Sequence, residues 1–241
     1  MADGHIKDED LKAVHQDRDG GGSKGCLTRH QRRDNGNACS HQWQAYLKAQ
    51  DDSWRYDVHD RPRWSVDMPG NFQHFRRPYW HNAHHIIPNG SLKNAIASTG
   101  EDNADIPRLI EIGLCKAEYN LNDKINMVIL PMERSVAARV GLPRHLKGDD
   151  VSPGEKPEKF SHKDYSNRIE NKVKSALSEI KQTVANALNK TEGTHDVPNF
   201  TLSKKKLEQL SRSVYDGITT AGLVGEGEAL ADESMLESIL S

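Results

Sequence analysis

The stretch that decides the fold is His81–Pro88, "HNAHHIIP", in which two adjacent histidines precede an apolar pair and a proline. A second short apolar run, "INMVILP", occupies 125–131 and also ends in a proline. Proline cannot donate to a sheet ladder, so both runs predict short strands. Apolar residues then recur at spacings of four and three from Ile169 to Leu188, which predicts a long amphipathic helix. Two strands, a loop and a long helix are the order of a ββα unit.

Shorter helices are expected around this unit. "SLKNAIAST", with Ser91 as N-cap, and "DIPRLIEIGL", with Asp105 as N-cap, predict two helices between the strands. "MERSVAARV" predicts another after the second strand, and a further helix is expected from Ser203. The predicted fold class is therefore α+β and mainly helical, with a small ββα core surrounded by helices and long loops.

Length and composition indicate one core domain with appended polar segments. The chain has 241 residues, 28% of them charged, and a mean hydropathy of -0.80. We predict a polar N-terminal region at 1–50, a core domain at 51–190 and a C-terminal helical region at 191–241. From Gly225 onward the chain carries five acidic residues and no lysine or arginine, so this last region ends in an acidic amphipathic tail.

The sequence also predicts where the protein is made. No stretch approaches the roughly 20 apolar residues of a membrane span, and the N-terminus "MADGHIKDED" lacks the apolar core of a secretory signal. Three cysteines cannot form a full disulfide framework, which fits a reducing compartment. We expect synthesis in the cytoplasm, no membrane insertion, and any export to proceed without a cleaved signal peptide.

The adjacent histidines are expected to have separate roles. Neighbouring side chains in a strand point to opposite faces, so His84 and His85 cannot easily share one function. One imidazole can bind a metal while the next faces a substrate, because neutral imidazole is both a common metal ligand and a base that titrates near neutrality. Without further context, such a pair is more often the polar edge of a strand than a site.

Four motifs in order give that context. "AHHIIP", "NMVILP", "LPRH" and "HKDY" resemble the AHH family of the HNH/endonuclease VII (His-Me finger) nucleases, which are often toxin domains of bacterial secretion systems. The resemblance extends over about 100 residues, from Trp80 to Ile180. It implies that His85 is the general base that takes a proton from the attacking water. It also implies that Asn126 orients this base through a hydrogen bond.

The resemblance further implies one divalent metal ion, Mg²⁺ or Zn²⁺, with Mn²⁺ or Ni²⁺ as alternatives. Family members usually hold the two later histidines a few residues apart, whereas the insert "LKGDDVSPGEKPEKFS" separates them here. Which of the two is a ligand therefore stays open. The implied metal ligands are His84, His145 and His162.

Basic residues on both sides of these histidines predict contact with nucleic-acid phosphates. Such residues are usually solvated surface, but their position around one site favours a binding role. None of them selects bases, so little sequence specificity is expected. The residues predicted to contact nucleic acid are Arg76, Arg77, Arg144, Lys163, Tyr165 and Arg168.

A second cluster of metal-competent side chains lies near the N-terminus. Four of them fall within sixteen residues, which makes them candidate ligands of a structural zinc ion. The spacing matches no standard zinc finger, and the alternative is two free cysteines and two surface histidines in a polar loop. The residues are Cys26, His30, Cys39 and His41.

Together these features predict a metal-dependent, largely nonspecific DNA endonuclease. The resemblance implies an antibacterial effector, exported for example by type VI secretion with an adaptor or carrier, acting in the target-cell cytoplasm and covered in its producer by a cognate immunity protein. The alternatives are an RNase on the same scaffold and a non-catalytic, zinc-stabilised nucleic-acid-binding module. The acidic tail has three interpretations: it keeps a helix soluble, binds a partner, or covers the basic site as a mimic of nucleic-acid charge.

Overall fold

A computed structural model describes residues 25–28, 39–51, 81–101, 103–146, 162–190 and 202–241. Across these ranges the chain is mainly helical with one two-stranded sheet, which confirms the predicted α+β class. Short 3-10 turns occupy Ser98–Gly100 and Lys124–Asn126. The main elements are α1 His41–Asp51, β1 His81–His85, α2 Asn89–Ala97, α3 Asp105–Lys116, β2 Met127–Pro131, α4 Arg134–Val140, α5 Lys163–Lys190, α6 Lys205–Val224 and α7 Glu233–Leu240.

The two strands pair in the antiparallel sense, with His84 opposite Val128 and His85 opposite Met127. β1 ends at His85, so the two histidines close the strand, whereas the apolar residues 86–88 lead into α2 instead of extending the ladder. The backbone N–H of Ile86 donates to the carbonyl of Asn126 at 2.9 Å, which ties the end of one strand to the start of the other.

The predicted N-caps of the two intervening helices are displaced. α2 begins two residues before Ser91, with Pro88 as its N-cap, because the extended backbone of Pro88 lets its carbonyl accept from Leu92 at 3.0 Å. α3 includes Asp105 as its first residue. The side chain of Asn103 accepts from the Asp105 N–H at 2.8 Å, so the acidic side chain lies in the first turn, where the helix dipole favours it.

The described residues form two compact units. The first takes its residues from Met1–Arg29, Ile87–Leu121 and Ile169–Leu210. Here α5 buries the apolar face predicted from its spacing, including Val173, Leu177 and Val184. The amide side chain of an α2 residue, Asn94, donates to Glu170 at 2.9 Å, so polar contacts flank this core.

The second unit takes its residues from His30–Ile86, Asn122–Arg168 and Ser211–Ser241. It contains the sheet, α1, α4 and α7, together with the first turns of α5 and most of α6, from Ser211 onward. α1 packs against both strands and buries Ala45, Tyr46 and Ala49. Ser40 caps α1, since its hydroxyl accepts from the backbone N–H of Trp43 at 3.2 Å.

The acidic C-terminal segment is a packed part of this second unit. α7 buries Met235, Leu236 and Ile239. The backbone of Arg144 donates to the Glu228 carbonyl and accepts from the Leu230 N–H, both at 2.8 Å. The tail is therefore more than a solubilising helix. Within the described residues, no helix is long and apolar enough to cross a membrane.

Candidate active site

Three histidines converge in the second unit. His84 closes β1, His145 follows α4, and His162 immediately precedes α5. One nitrogen from each imidazole can be chosen so that all three lie within 4.8 Å of one another. Nδ1 of His84 is 3.1 Å from Nε2 of His145, and the His162 ring centroid is 4.8 Å and 5.2 Å from the centroids of those two rings. The structure thus brings together all three predicted metal ligands.

Each histidine is placed by a different element. The backbone N–H of His145 donates to the carbonyl of Pro131 at 2.8 Å, which holds it at the end of β2. Nδ1 of His162 lies 3.2 Å from the Ser166 hydroxyl, one turn further along the chain. His84 and His145 are buried and His162 is half-buried, so His162 is the most solvent-accessible member of the cluster.

The chemistry of this donor set fits a transition metal. Imidazole nitrogen suits Zn²⁺, Ni²⁺ and related ions, whereas Mg²⁺ prefers oxygen ligands. Among the residues that the structure describes, the metal-competent group contains three side chains. Three protein ligands are typical of catalytic zinc sites, which keep a position for water or substrate, while structural zinc sites use four.

His85 lies in a separate environment, as the alternation of strand side chains predicts. It is 6% exposed, and its Nε2 is 3.1 Å from the Oδ1 of Asn122. The ring of His41, the first residue of α1, stacks on it with centroids 5.6 Å apart and planes inclined by 23°. The cluster of three histidines and the candidate base therefore lie next to each other but contact different groups.

Asn126, predicted to orient the base, is completely buried. Its side-chain oxygen accepts from the Ser211 hydroxyl at 2.9 Å, and its backbone carbonyl accepts from the Ile86 N–H. Asn126 thus fixes the backbone directly after His85, while the ring of His85 meets Asn122. A hydrogen bond from the Asn126 side chain to the base stays a prediction.

Tyr165 also binds the backbone of Ile86. Its ring is fully buried, and its hydroxyl donates to the carbonyl of Ile86 at 2.6 Å. Burial raises the pKa of the Tyr165 phenol well above its ordinary value, so the hydroxyl stays a neutral donor. This internal bond argues against the predicted contact with nucleic acid, because the side chain has no surface to offer.

The other predicted nucleic-acid contacts fall into four groups. Arg144 is 2% exposed, and its Nε donates to the Gly227 carbonyl at 2.9 Å, so its burial also argues against phosphate binding. Arg168 forms an ion pair with Glu233 at the surface. Lys163 is exposed and directly follows His162, and its contact with nucleic acid stays a prediction. Arg76 and Arg77 lie outside the described residues.

The predicted N-terminal zinc cluster is divided between described and undescribed residues. Cys26 belongs to the first unit, where its thiol donates to the Thr28 carbonyl at 3.2 Å. Cys39 and His41 belong to the second unit, and the fourth residue, His30, lies outside the described residues. The structural zinc stays a prediction, and the stacking of His41 on His85 is a contact that it did not anticipate.

Two residues of the site, Asn122 and Ser211, were not predicted from the sequence. Asn122 is 37 residues from the histidine that it contacts, and Ser211 is 85 residues from Asn126. No local spacing links such pairs. The only signal near Asn122 is the turn-forming pair of Asn122 and Asp123, which indicates a turn and no chemistry.

Residues 68–201 match the sequence model of a nuclease family of the HNH/ENDO VII superfamily with conserved AHH. The match covers more than half of the chain and includes the sheet and α5, whereas α1 and Ser211 lie outside it. Comparisons with curated proteins and with solved structures gave no match.

Proposed function

Because the chain belongs to the AHH nuclease family of the HNH/ENDO VII superfamily, we propose that it is a metal-dependent, largely nonspecific DNA endonuclease. In this proposal His85 is the general base, and one divalent ion is held by three imidazoles. The observation that carries the proposal is the convergence of the nitrogens of His84, His145 and His162 to within 4.8 Å, next to a histidine with other partners.

The proposed mechanism divides the work between the ion and the chain. When bound, the ion would supply charge stabilisation at the phosphate and at the departing oxygen. His85 accepts the proton of the attacking water, a role that a neutral imidazole can perform as a general base. The exposed ammonium of Lys163 binds a backbone phosphate beside the cluster and so holds the strand in register.

The donor set supports Zn²⁺ or Ni²⁺ over Mg²⁺ or Mn²⁺, because imidazole suits the first two ions and oxygen ligands suit the other two. It also supports the nuclease over a non-catalytic zinc-stabilised module, because the three ligands found among the described residues would leave a position on the ion that a closed four-ligand site lacks. The family membership supports turnover as well, since the family is one of nucleases.

The proposed substrate is DNA, with RNA as the alternative on the same scaffold. Phosphate contact by a lysine carries no information on base or sugar, which supports broad substrate choice. Discrimination of RNA would need a group that reads the 2′-hydroxyl. The two substrates are therefore compared side by side in the test below.

The proposed biological role is that of an antibacterial effector toxin. The resemblance of the motifs to toxin nucleases supports export by a secretion apparatus, such as type VI, with an adaptor or carrier, and action in the target-cell cytoplasm. A nonspecific nuclease endangers the cell that makes it. The expected partner is therefore an immunity protein that covers the histidine cluster in the producer.

The test is cleavage of supercoiled plasmid by the purified protein with Zn²⁺, Ni²⁺, Mn²⁺ or Mg²⁺ and with EDTA. His85→Ala is expected to abolish cleavage, and His81→Ala, at the other end of the same strand, is the matched control. Structured RNA is incubated in parallel. Degradation of RNA alone would replace the proposed substrate, and intact nucleic acid with every metal would favour the binding module.

A further inference from the structure

We propose that two side chains outside the histidine-rich motif, Asn122 and His41, hold the imidazole of His85 so that its Nδ1 receives the proton. They are positioning residues, since each acts through His85. The inference rests on the proposed function, in which His85 is the base, and adds to it the nitrogen that acts and the groups that select this nitrogen.

The contact at the edge of the ring sets the tautomer. An amide oxygen can only accept a hydrogen bond, so the 3.1 Å contact between Asn122 Oδ1 and His85 Nε2 is a hydrogen bond when the proton is on Nε2, and it favours that tautomer. In a neutral imidazole the other nitrogen then carries the lone pair. Asn122 is fully buried, which protects the bond from competition with water.

The local backbone holds Asn122 in place. The next residue, Asp123, caps the 3-10 turn Lys124–Asn126, since its side chain accepts from the Ile125 N–H at 3.0 Å. Its carbonyl also accepts from the Asn126 N–H at 2.8 Å. The turn therefore fixes the backbone on which the Asn122 side chain stands, directly before β2.

The contact at the face of the ring sets its plane. His41 is 2% exposed and stacks on His85 with a small interplanar angle of 23°. It stands at the capped start of α1, a helix that packs on both strands of the sheet. α1 precedes segment 68–201, which matches the family model, so His41 lies outside that segment.

Together, the edge bond and the face contact restrain the two side-chain torsions of a histidine. A base fixed before the substrate binds loses less freedom on reaching the transition state, and small misplacements of such groups cost up to about 100-fold in rate. Disturbing either contact should therefore lower kcat while leaving the affinities for DNA and metal unchanged.

The first test needs neither a variant nor activity. In the metal-free full-length protein, the ¹⁵N chemical shifts of the His85 ring report which nitrogen carries the proton. We expect the Nε2–H tautomer at a pH where the ring is neutral. A ring protonated on Nδ1, or a mixture of both tautomers, would overturn the proposal.

The second test compares variants of similar size at each position. Asn122→Leu removes the acceptor and is expected to lower kcat by about 10–100-fold, the range typical of supporting groups, whereas Asn122→Asp keeps an oxygen and most of the activity. His41→Leu should lower kcat, whereas His41→Phe, which keeps an aromatic ring for stacking on His85, should have a kcat close to that of the wild type. Asn82→Leu, an exposed position in β1, is the control.

The outcomes separate the two proposals. If the wild-type protein cleaves no nucleic acid, the proposed function fails, and the tautomer measurement still decides how His85 is held. If the wild-type protein cleaves DNA and loses activity in His85→Ala, but Asn122→Leu and His41→Leu keep wild-type kcat, only the positioning role is wrong. The positioning role would also be contradicted if Asn122→Asp lost as much activity as Asn122→Leu, or if His41→Phe lost as much as His41→Leu.

Discussion

His84 and His85 are neighbours in β1, yet their imidazoles contact different groups. Nδ1 of His84 lies 3.1 Å from a ring nitrogen of His145, whereas Nε2 of His85 lies 3.1 Å from an amide oxygen of Asn122. The alternation of side chains along a strand explains the divergence. The dipeptide therefore supplies one member of the three-histidine cluster and the candidate base, so substitutions of its two residues should have separable effects.

The first prediction concerns metal affinity. His84→Ala and His162→Ala are expected to weaken Zn²⁺ binding by more than about 100-fold, beyond the usual effect of removing a merely supporting group. His85→Ala should bind Zn²⁺ as the wild-type protein does. Competition with a chromophoric zinc chelator measures all three affinities. Equal loss of metal in His85→Ala would place His85 among the ligands and remove it as the base.

Much of the site was predictable because strand and helix periodicity are local properties. The order of short apolar runs and one long amphipathic segment predicted the sheet and α5. The resemblance to the family implied His84, His145 and His162 as metal ligands, with the choice between the last two left open. The structure also places the last two close to each other although residues 147–161 between them lie outside the described ranges. The insert therefore does not prevent the cluster.

The positions that were not predicted depend on contacts between distant segments. α1 carries polar residues on much of its surface and was not identified as a helix, yet its position against the sheet places His41 on His85. Arg144 was predicted to be a surface cation that contacts nucleic acid. Its burial is explained by the backbone pairing of its segment with C-terminal residues, which the sequence does not show. Charge and spacing cannot reveal such tertiary partners.

The second prediction concerns Tyr165. Tyr165→Phe removes the hydroxyl that donates to the Ile86 carbonyl and should lower the free energy of unfolding by about 1–3 kcal/mol at neutral pH, since a buried acceptor loses its partner. Urea denaturation measures the loss, and Tyr215→Phe at a half-buried position is the control. An unchanged midpoint in Tyr165→Phe would show that the bond contributes nothing.

The same residue predicts a pH dependence. Burial raises the folded-state pKa of Tyr165 above the ordinary value near 10, so the folded protein retains a proton that the unfolded chain releases. The stability that depends on this group is fully present below about pH 10 and falls as the pH rises further. The stability difference between wild type and Tyr165→Phe should therefore shrink between about pH 10 and 11. A constant difference would contradict the assignment.

The third prediction concerns the C-terminal segment. Leu236→Ala is expected to lower the free energy of unfolding by about 2–5 kcal/mol, because the side chain is completely buried and its removal leaves a cavity. Glu237→Gln, next to it and exposed, should have little effect. Thermal denaturation compares the two. If the acidic tail were instead a removable cover of the basic site, both substitutions would leave the free energy of unfolding unchanged, and deletion of the tail would increase the affinity for nucleic acid.

The fourth prediction concerns phosphate contact beside the cluster. Lys163→Ala should weaken DNA binding and reduce the slope of log affinity against log salt concentration by about 1, because one ammonium contact displaces about one counterion. Lys174→Ala is the control on the same helix, since Lys174 already pairs with Glu170 at 2.7 Å. Each lysine substitution is combined with the cleavage-deficient His85→Ala substitution. Fluorescence anisotropy of a labelled DNA duplex then gives the affinity of each protein at several salt concentrations, and so the two slopes. If the two lysine variants lose affinity equally, the position beside His162 has no special role in binding the backbone, and the register of the bound strand must be set by other cations.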